Sequence, residues 1–149
     1  RQDLTFDNLN GSIIDLKGTV YGADCVTPIK NALVEIWHCN TAGEYDNDSS
    51  NHHHRGKWHT NEQGAYAFKT ILPGKYLNRQ LFRPAHIHFR VTVPGMRELV
   101  SQIYFQGDPH IKKDPWASRK TATRRILPIS LEDTKGNLAV AFDIFLGKS

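Results

Sequence analysis

From His86 to Val93 the chain alternates strictly between polar and apolar residues: His86, His88, Arg90 and Thr92 have one parity, Ile87, Phe89, Val91 and Val93 the other. Successive side chains of an extended chain point to opposite faces, whereas a helix would scatter these apolar residues around its axis. The segment is therefore predicted to be a strand with one face in a core and the other on a separate polar surface. Two imidazoles two residues apart on that polar face can meet one metal ion. They make half of a metal site.

Similar β-branched or aromatic stretches recur at Lys17 to Tyr21, Ala32 to Cys39, Ala65 to Ile71, Leu99 to Phe105 and Leu138 to Leu146. Turn residues separate them: Gly22-Ala23-Asp24, Asn61 to Gly64, Pro73-Gly74, Pro94-Gly95 and Thr134 to Asn137. Many short strands punctuated in this way predict an all-β fold, an antiparallel β-sandwich with long loops. Helix is confined to a turn or so around Pro115 to Arg124. At 149 residues the chain is one domain, large enough to bury roughly 70% of its unfolded surface without a staple.

Composition narrows the function classes. No apolar run approaches the roughly 20 residues of a membrane helix. The net charge of +4 comes partly from Lys112, Lys113, Arg119, Lys120, Arg124 and Arg125. No aromatic residue lies between Arg119 and Arg125 to stack a base, so a solvated face or an anionic small molecule is expected before nucleic acid. Cys25 and Cys39 are too few for a thiolate cage. If 19–24 and 32–38 run antiparallel, the two thiols lie at opposite ends and stay unbridged. Because the chain starts at Arg1, it reads as a processed product or fragment whose targeting segment is out of view.

With thiolates scarce, the His86-x-His88 pair must be completed by oxygen donors or further histidine. Tyr45, in Ala42-Gly43-Glu44-Tyr45-Asp46, and Tyr76, in Pro73-Gly74-Lys75-Tyr76, sit in turn-like settings and are either packing residues or ligands. Tyr45 belongs to a polar stretch, Asn40 to Lys57, long enough to be a functional loop. Its His52-His53-His54 run reads as solvated. Trp37 is either a pocket wall or core, and His38 and His59 have no assigned role.

Ordered motifs across some two thirds of the chain, from about Gly18 to Asp114, carry a resemblance. They include Ala32-Leu33-Val34-Glu35-Ile36-Trp37, Gly43-Glu44-Tyr45, Arg55-Gly56, Gly64-Ala65-Tyr66-Ala67-Phe68, Pro73 to Tyr76, Arg83 to Phe89 and Gln102 to Asp108. The sequence resembles the intradiol ring-cleavage dioxygenases, non-haem ferric enzymes that include the catechol, hydroxyquinol and protocatechuate dioxygenases. The resemblance implies iron(III) held by Tyr45, Tyr76, His86 and His88, with a catechol-type substrate and O2 converted to a muconate-type diacid. It implies that Arg83 stabilises negative charge on the substrate and that Gln102 is a polar residue behind the ligands. By the same resemblance Tyr76 leaves the metal with a substrate proton, and the eight-residue spacing of Trp37 from Tyr45 matches the family.

The donor chemistry agrees, because a highly charged cation favours ionised phenols and two phenolates favour the ferric ion, while zinc gives no reason for paired tyrosines. Substrate choice is expected to rest on Tyr21 to Val26, the loop Leu77 to Phe82 and Trp37. Tyr21, Trp37 and Arg83 would touch the substrate. The 17 residues before Gly18 are too few for the helical dimerisation region of catechol-cleaving members, which implies a minimal catalytic sandwich. Trp37-His38-Cys39 looks like secreted members and points to export. Two other readings compete: a non-enzymatic β-sandwich binding module with incidental surface tyrosines and histidines, and a cupin-like iron(II) or zinc enzyme needing a further histidine and a carboxylate.

Overall fold

The computed structural model describes residues 1–7, 9–46, 49–78, 81–131 and 136–147, and for 76–78 and 81 the backbone alone. Its strands are β1 (Ile13–Tyr21), β2 (Leu33–Trp37), β3 (Arg55–His59), β4 (Ala65–Ile71), β5 (Tyr76–Asn78) and β6 (Leu81–Arg83). They continue with β7 (His86–Thr92), β8 (Leu99–Phe105), β9 (Ile126–Leu127), β10 (Ser130–Leu131), β11 (Leu138–Ala141) and β12 (Ile144–Phe145). One sheet has β1 at its centre, with β4 antiparallel on one side and β11 and β12 parallel on the other. The second runs β3-β2-β7-β8-β9, antiparallel except for its β8–β9 edge, and β5 and β6 form a separate hairpin.

The two sheets bury one core between them. Ile14, Leu16, Val20, Tyr66, Phe68, Val140 and Ile144 come from the first; Val34, Ile36, Ile87, Phe89, Val91, Ile103 and Phe105 come from the second. Each β7 core residue that leaves water contributes on the order of 1.5 to 3 kcal/mol. Because side chains alternate, that burial also fixes the register and fixes which face His86 and His88 occupy. The all-β sandwich is as the sequence predicts, but both sheets are mixed and not purely antiparallel, since β11 and β12 join β1, and β9 joins β8, in parallel.

Several details differ from the expectation. The stretch read as Leu138 to Leu146 is divided at Phe142 and Asp143, where the Phe142 N–H donates to the Lys17 carbonyl and Asp143 Oδ1 accepts from Thr19 N–H at 2.9 Å. Gly18 allows this approach, since a Cβ there would collide with the Phe142 carbonyl oxygen. The Asn40 to Lys57 loop ends in β3, whose Arg-Gly-Lys-Trp-His sequence has no apolar alternation and is held by pairing with β2. The turn expected around Pro115 to Arg124 is a 3-10 helix at Lys120–Arg125. β1 and β2 lie in different sheets, so the antiparallel pairing expected around the cysteines does not form; Cys25 is exposed, Cys39 buried, and both are free. Among the described residues no helix is long and apolar enough to cross a membrane.

A polar joint ties the sheets together. His38, just after β2, is 1% exposed. Its Nδ1–H donates to the Cys39 carbonyl at 2.6 Å, so Nε2 must accept from the Thr70 hydroxyl of β4 at 2.7 Å. A second proton would place an unpaired charge in the core and remove that acceptor. Burial accordingly lowers the His38 pKa from 6.5 to about 4. Between those values the unfolded chain binds a proton that the folded chain refuses, so stability is full above pH 6.5 and is lost as pH falls towards 4. For the metal-free chain this predicts a loss on the order of 2 to 3 kcal/mol between pH 7 and 4.5 from His38 alone. Urea titrations at the two pH values should show it, and His38→Asn should shrink the pH difference by that amount, leaving the part that His86 and His88 contribute; an unchanged pH difference in the variant would refute the assignment.

Candidate metal centre

The outer face of the β3-β2-β7-β8 sheet carries the site. β7 lies between β2 and β8, with His88 opposite Trp37 on one side and Gln102 on the other, and with His86 opposite Tyr104. The Trp37 and His88 rings stack at 5.1 Å and within 2° of parallel, so Trp37 is on the site face and not in the core. This face is roofed by loops. His86 is 1% exposed, a correction to the open polar surface expected of it.

The loop bearing Tyr45 is wound around Asn40. Its side-chain Oδ1 accepts from the Ala42 and Glu44 N–H groups at 2.9 and 3.0 Å, and Gly43 takes a φ of 82° to close the turn. The Asn40 carbonyl also accepts from Gly74 N–H at 3.0 Å, docking the segment that leads into Tyr76. A Cβ at Gly74 would strike the Thr41 carbonyl oxygen, so this close backbone approach requires glycine. Asp46, next after Tyr45, accepts from the Ser49 and His53 N–H groups, which hold its pKa at about 2.

Tyr45 Oη consequently hangs over the two histidines, 3.2 Å from His86 Nε2 and 3.1 Å from His88 Nε2. His86 Nδ1–H donates to the Pro84 carbonyl at 2.8 Å, which fixes the tautomer and leaves the Nε2 lone pair facing Tyr45. Burial lowers the pKa of both histidines, that of His88 to about 4, with the neighbouring Arg83 charge adding to the effect. Both are neutral imidazoles at pH 7, the form that ligates metal. Adjacent ligands about one ion, each roughly 2 Å from it, are separated by roughly 3 Å, so the three donors suit a shared cation. Among the described residues no group of three His, Cys, Asp or Glu side chains could hold a metal, so a cupin-type ligand set is not formed there. The side chain of Tyr76, the fourth expected ligand, lies outside the described residues; its backbone pairs with Arg83 across β5 and β6.

Arg83 is 8% exposed and held on three sides. Asp114 takes Nε at 2.8 Å and Nη2 at 3.2 Å, Gln102 Oε1 accepts from Nη2 at 2.9 Å, and the Trp116 ring lies 4.4 Å from the guanidinium carbon. Nη1 is left facing His86 Nε2 at 3.5 Å. Burial alone would lower the Arg83 pKa, but Asp114 raises it, while Arg83 and the Ala117 and Trp116 N–H groups keep Asp114 ionised despite its burial. Gln102 Oε1 also accepts from the Tyr104 hydroxyl at 2.9 Å, and Arg125 Nη1 donates to the Gln102 carbonyl at 2.7 Å. Asp108 Oδ2 accepts from Ala85 N–H at 2.9 Å and pins the entry to β7.

Two sequence expectations need correcting. Tyr21 does not reach the site: it ends β1 beside the Pro28 turn, stacked on Phe145 at 5.2 Å, at the end of the sandwich opposite Tyr45, His86 and His88. The neighbouring stretch to Val26 is equally remote, and part of the loop Leu77 to Phe82 lies outside the described residues. In the histidine run only His52 is exposed, whereas His53 stacks on Phe6 at 4.2 Å and His54, 4% exposed, stacks on His38 at 5.0 Å. Asp114, Tyr104 and Trp116 were not among the expected site residues. An Asp-Pro turn signal at Asp114 was readable, but nothing in the sequence ties it to Arg83.

Comparison with known proteins gives the same answer as the site. The model of a dioxygenase family, Dioxygenase_C, matches residues 2–148. Catechol 1,2-dioxygenase 2 of Acinetobacter lwoffii is 36% identical over 121 residues, covering 70% of this chain and 44% of that protein. Chlorocatechol 1,2-dioxygenase of Rhodococcus opacus is 32% identical over 145 residues, covering 85% and 52%. The chain thus spans about half the length of these curated relatives. Among solved structures, the dioxygenase domain of a carbohydrate-binding fusion protein from Streptomyces sp. SirexAA-E superposes with a TM-score of 0.86 at 26% identity, over 100% of this chain and 88% of that one. With almost its whole length matched by the family model, and with tyrosine, paired histidines and arginine gathered on one sheet face, this chain belongs to the intradiol ring-cleavage dioxygenase family.

Proposed function

We propose that the chain cleaves a catechol-type ring between its two hydroxyls with O2, giving a muconate-type diacid. The convergence of Tyr45 Oη with the Nε2 atoms of His86 and His88, beneath the free edge of Arg83, carries this reading. Tyr45, Tyr76, His86 and His88 would hold iron(III), which when bound supplies the Lewis acidity and electron withdrawal that open a catecholate to O2. Tyr76 takes one catechol proton at its phenolate oxygen, and Tyr45 stays in place because its loop is fixed by Asn40 and Asp46. Arg83 offers its Nη1–H groups to negative charge on the substrate, in a buried setting where such a contact is stronger than in water. Trp37 backs the His88 ring and keeps it from turning.

Tyrosinate on ferric iron absorbs in the visible, so iron-loaded protein should be red-brown and should consume one O2 per catechol. Tyr45→Phe is expected to move or abolish that band and to lower kcat at least 100-fold. A colourless iron-loaded protein, or a product opened beside the hydroxyls, would contradict the proposal.

Asp114 is expected to act by aiming Arg83. Asp114→Asn should lower kcat by about 10- to 100-fold, or roughly 1.4 to 2.7 kcal/mol, with KM changing less and the visible band retained. Arg83→Lys should not restore the rate, because an ammonium cannot make the forked contact. A fall in kcat matched by loss of the band would assign Asp114 to holding the fold instead.

A further inference from the structure

A cavity of about 270 Å³ opens over β8 beside the candidate metal centre, lined by His88, Gln102, Trp116, Arg119, Thr121 and Arg125 among others. We propose that it is the subsite for an anionic ring substituent, a carboxylate, and that the enzyme accordingly prefers carboxylated catechols to neutral ones. This rests on the catechol-cleaving reading above. The cavity begins at a metal-ligating histidine, so a ring bound through its hydroxyls extends into it. Arg125 donates to the carbonyl of Gln102, the β8 residue paired with His88, and so stands on the β8 side of that histidine along the wall a bound ring would face.

The charges there differ from those of an ordinary solvated face. Arg125 is half-buried, anchored through Nη1 to the Gln102 carbonyl and laid over the Tyr104 ring at 5.9 Å, so its remaining N–H groups are already oriented. Among the described residues neither Arg119 nor Arg125 pairs with a carboxylate, and no acidic side chain lines the cavity. Arg83, in contrast, has its charge taken up by Asp114. Trp116 is 44% exposed and offers an aromatic wall, and the Thr121 hydroxyl adds a neutral donor. Fixed guanidinium, second guanidinium, hydroxyl and aromatic wall together suit a benzoate-type group.

The test compares kcat/KM for 3,4-dihydroxybenzoate and 4-methylcatechol in the iron-loaded wild type, Arg119→Gln and Arg125→Gln. The wild type should favour the carboxylate at least tenfold, and each variant should cut that ratio about tenfold. A wild-type ratio at or below one, or a ratio that neither variant changes, overturns the proposal while leaving ring cleavage intact. Calorimetric titration of benzoate and benzamide into the metal-free chain reads the subsite without turnover. Binding of benzoate over benzamide that weakens in both variants supports it even if no catechol is cleaved, in which case only the functional reading fails; equal binding of the two probes overturns it.

Discussion

The alternation of β7 governs everything around it. Ile87, Phe89 and Val91 are each no more than 4% exposed and lock the strand into the core from one side. A slip of one residue would bury His86 and His88 in the core and expose those apolar residues, at a cost of several side chains' burial free energy. The face that carries His86 and His88 is thus fixed by packing on the opposite face. Pairing with β2 and β8 then brings Trp37 and Gln102 to the flanks of His88 without any contact made for that purpose.

What the sheet cannot supply is a roof. A flat face would leave the histidines in water, protonated more readily and free to rotate. Here Asn40 winds one loop, Gly74 lets a second approach it, and Asp108 and Asp114 fold a third against Arg83. Each device is a short polar side chain or a missing Cβ that satisfies backbone groups inside an irregular segment. The His38–Thr70 bond adds a fixed point beneath them by joining the two sheets where the Tyr45 loop departs. The roof desolvates His86 and His88, and that desolvation keeps them neutral.

These two layers explain what could be read from the sequence. Strands whose own side chains alternate, such as Ala65–Ile71 and Leu99–Phe105, were legible with their boundaries, because local pattern and burial agree. β3 was not, because Arg55–His59 is held by its partner strand and not by its own apolar residues. The expectation for Tyr21 fails on topology, which no local pattern reveals: β1 lies in the other sheet, and Tyr21 ends it against Phe145. His54 looked like a solvated loop residue because polarity alone does not reveal that a positive φ of 62° turns its ring beneath the loop and against His38. That Tyr45, His86, His88, Arg83 and Gln102 gather on one sheet face could be expected only from the set and its motif order, since any one of them has an ordinary structural explanation.

Arg83 shows why a buried cation needs so much support. Alone in the roofed pocket it would lose its hydration with nothing to offset the loss. Asp114 neutralises it, but a carboxylate able to swing would draw the guanidinium away from His86. The Ala117 and Trp116 N–H groups hold that carboxylate at 2.7 and 3.1 Å, and Gln102 and the Trp116 ring block two other directions. The guanidinium is therefore held by its Nε and Nη2 edge and directs Nη1 at His86 Nε2. The pair is close to neutral towards a distant charge and strongly polar towards one at contact, so it discriminates by position. A ring that developed negative charge beside Nη1 would gain from it, whereas a carboxylate farther along the sheet would not, and in the proposed subsite would find its own cations at Arg119 and Arg125.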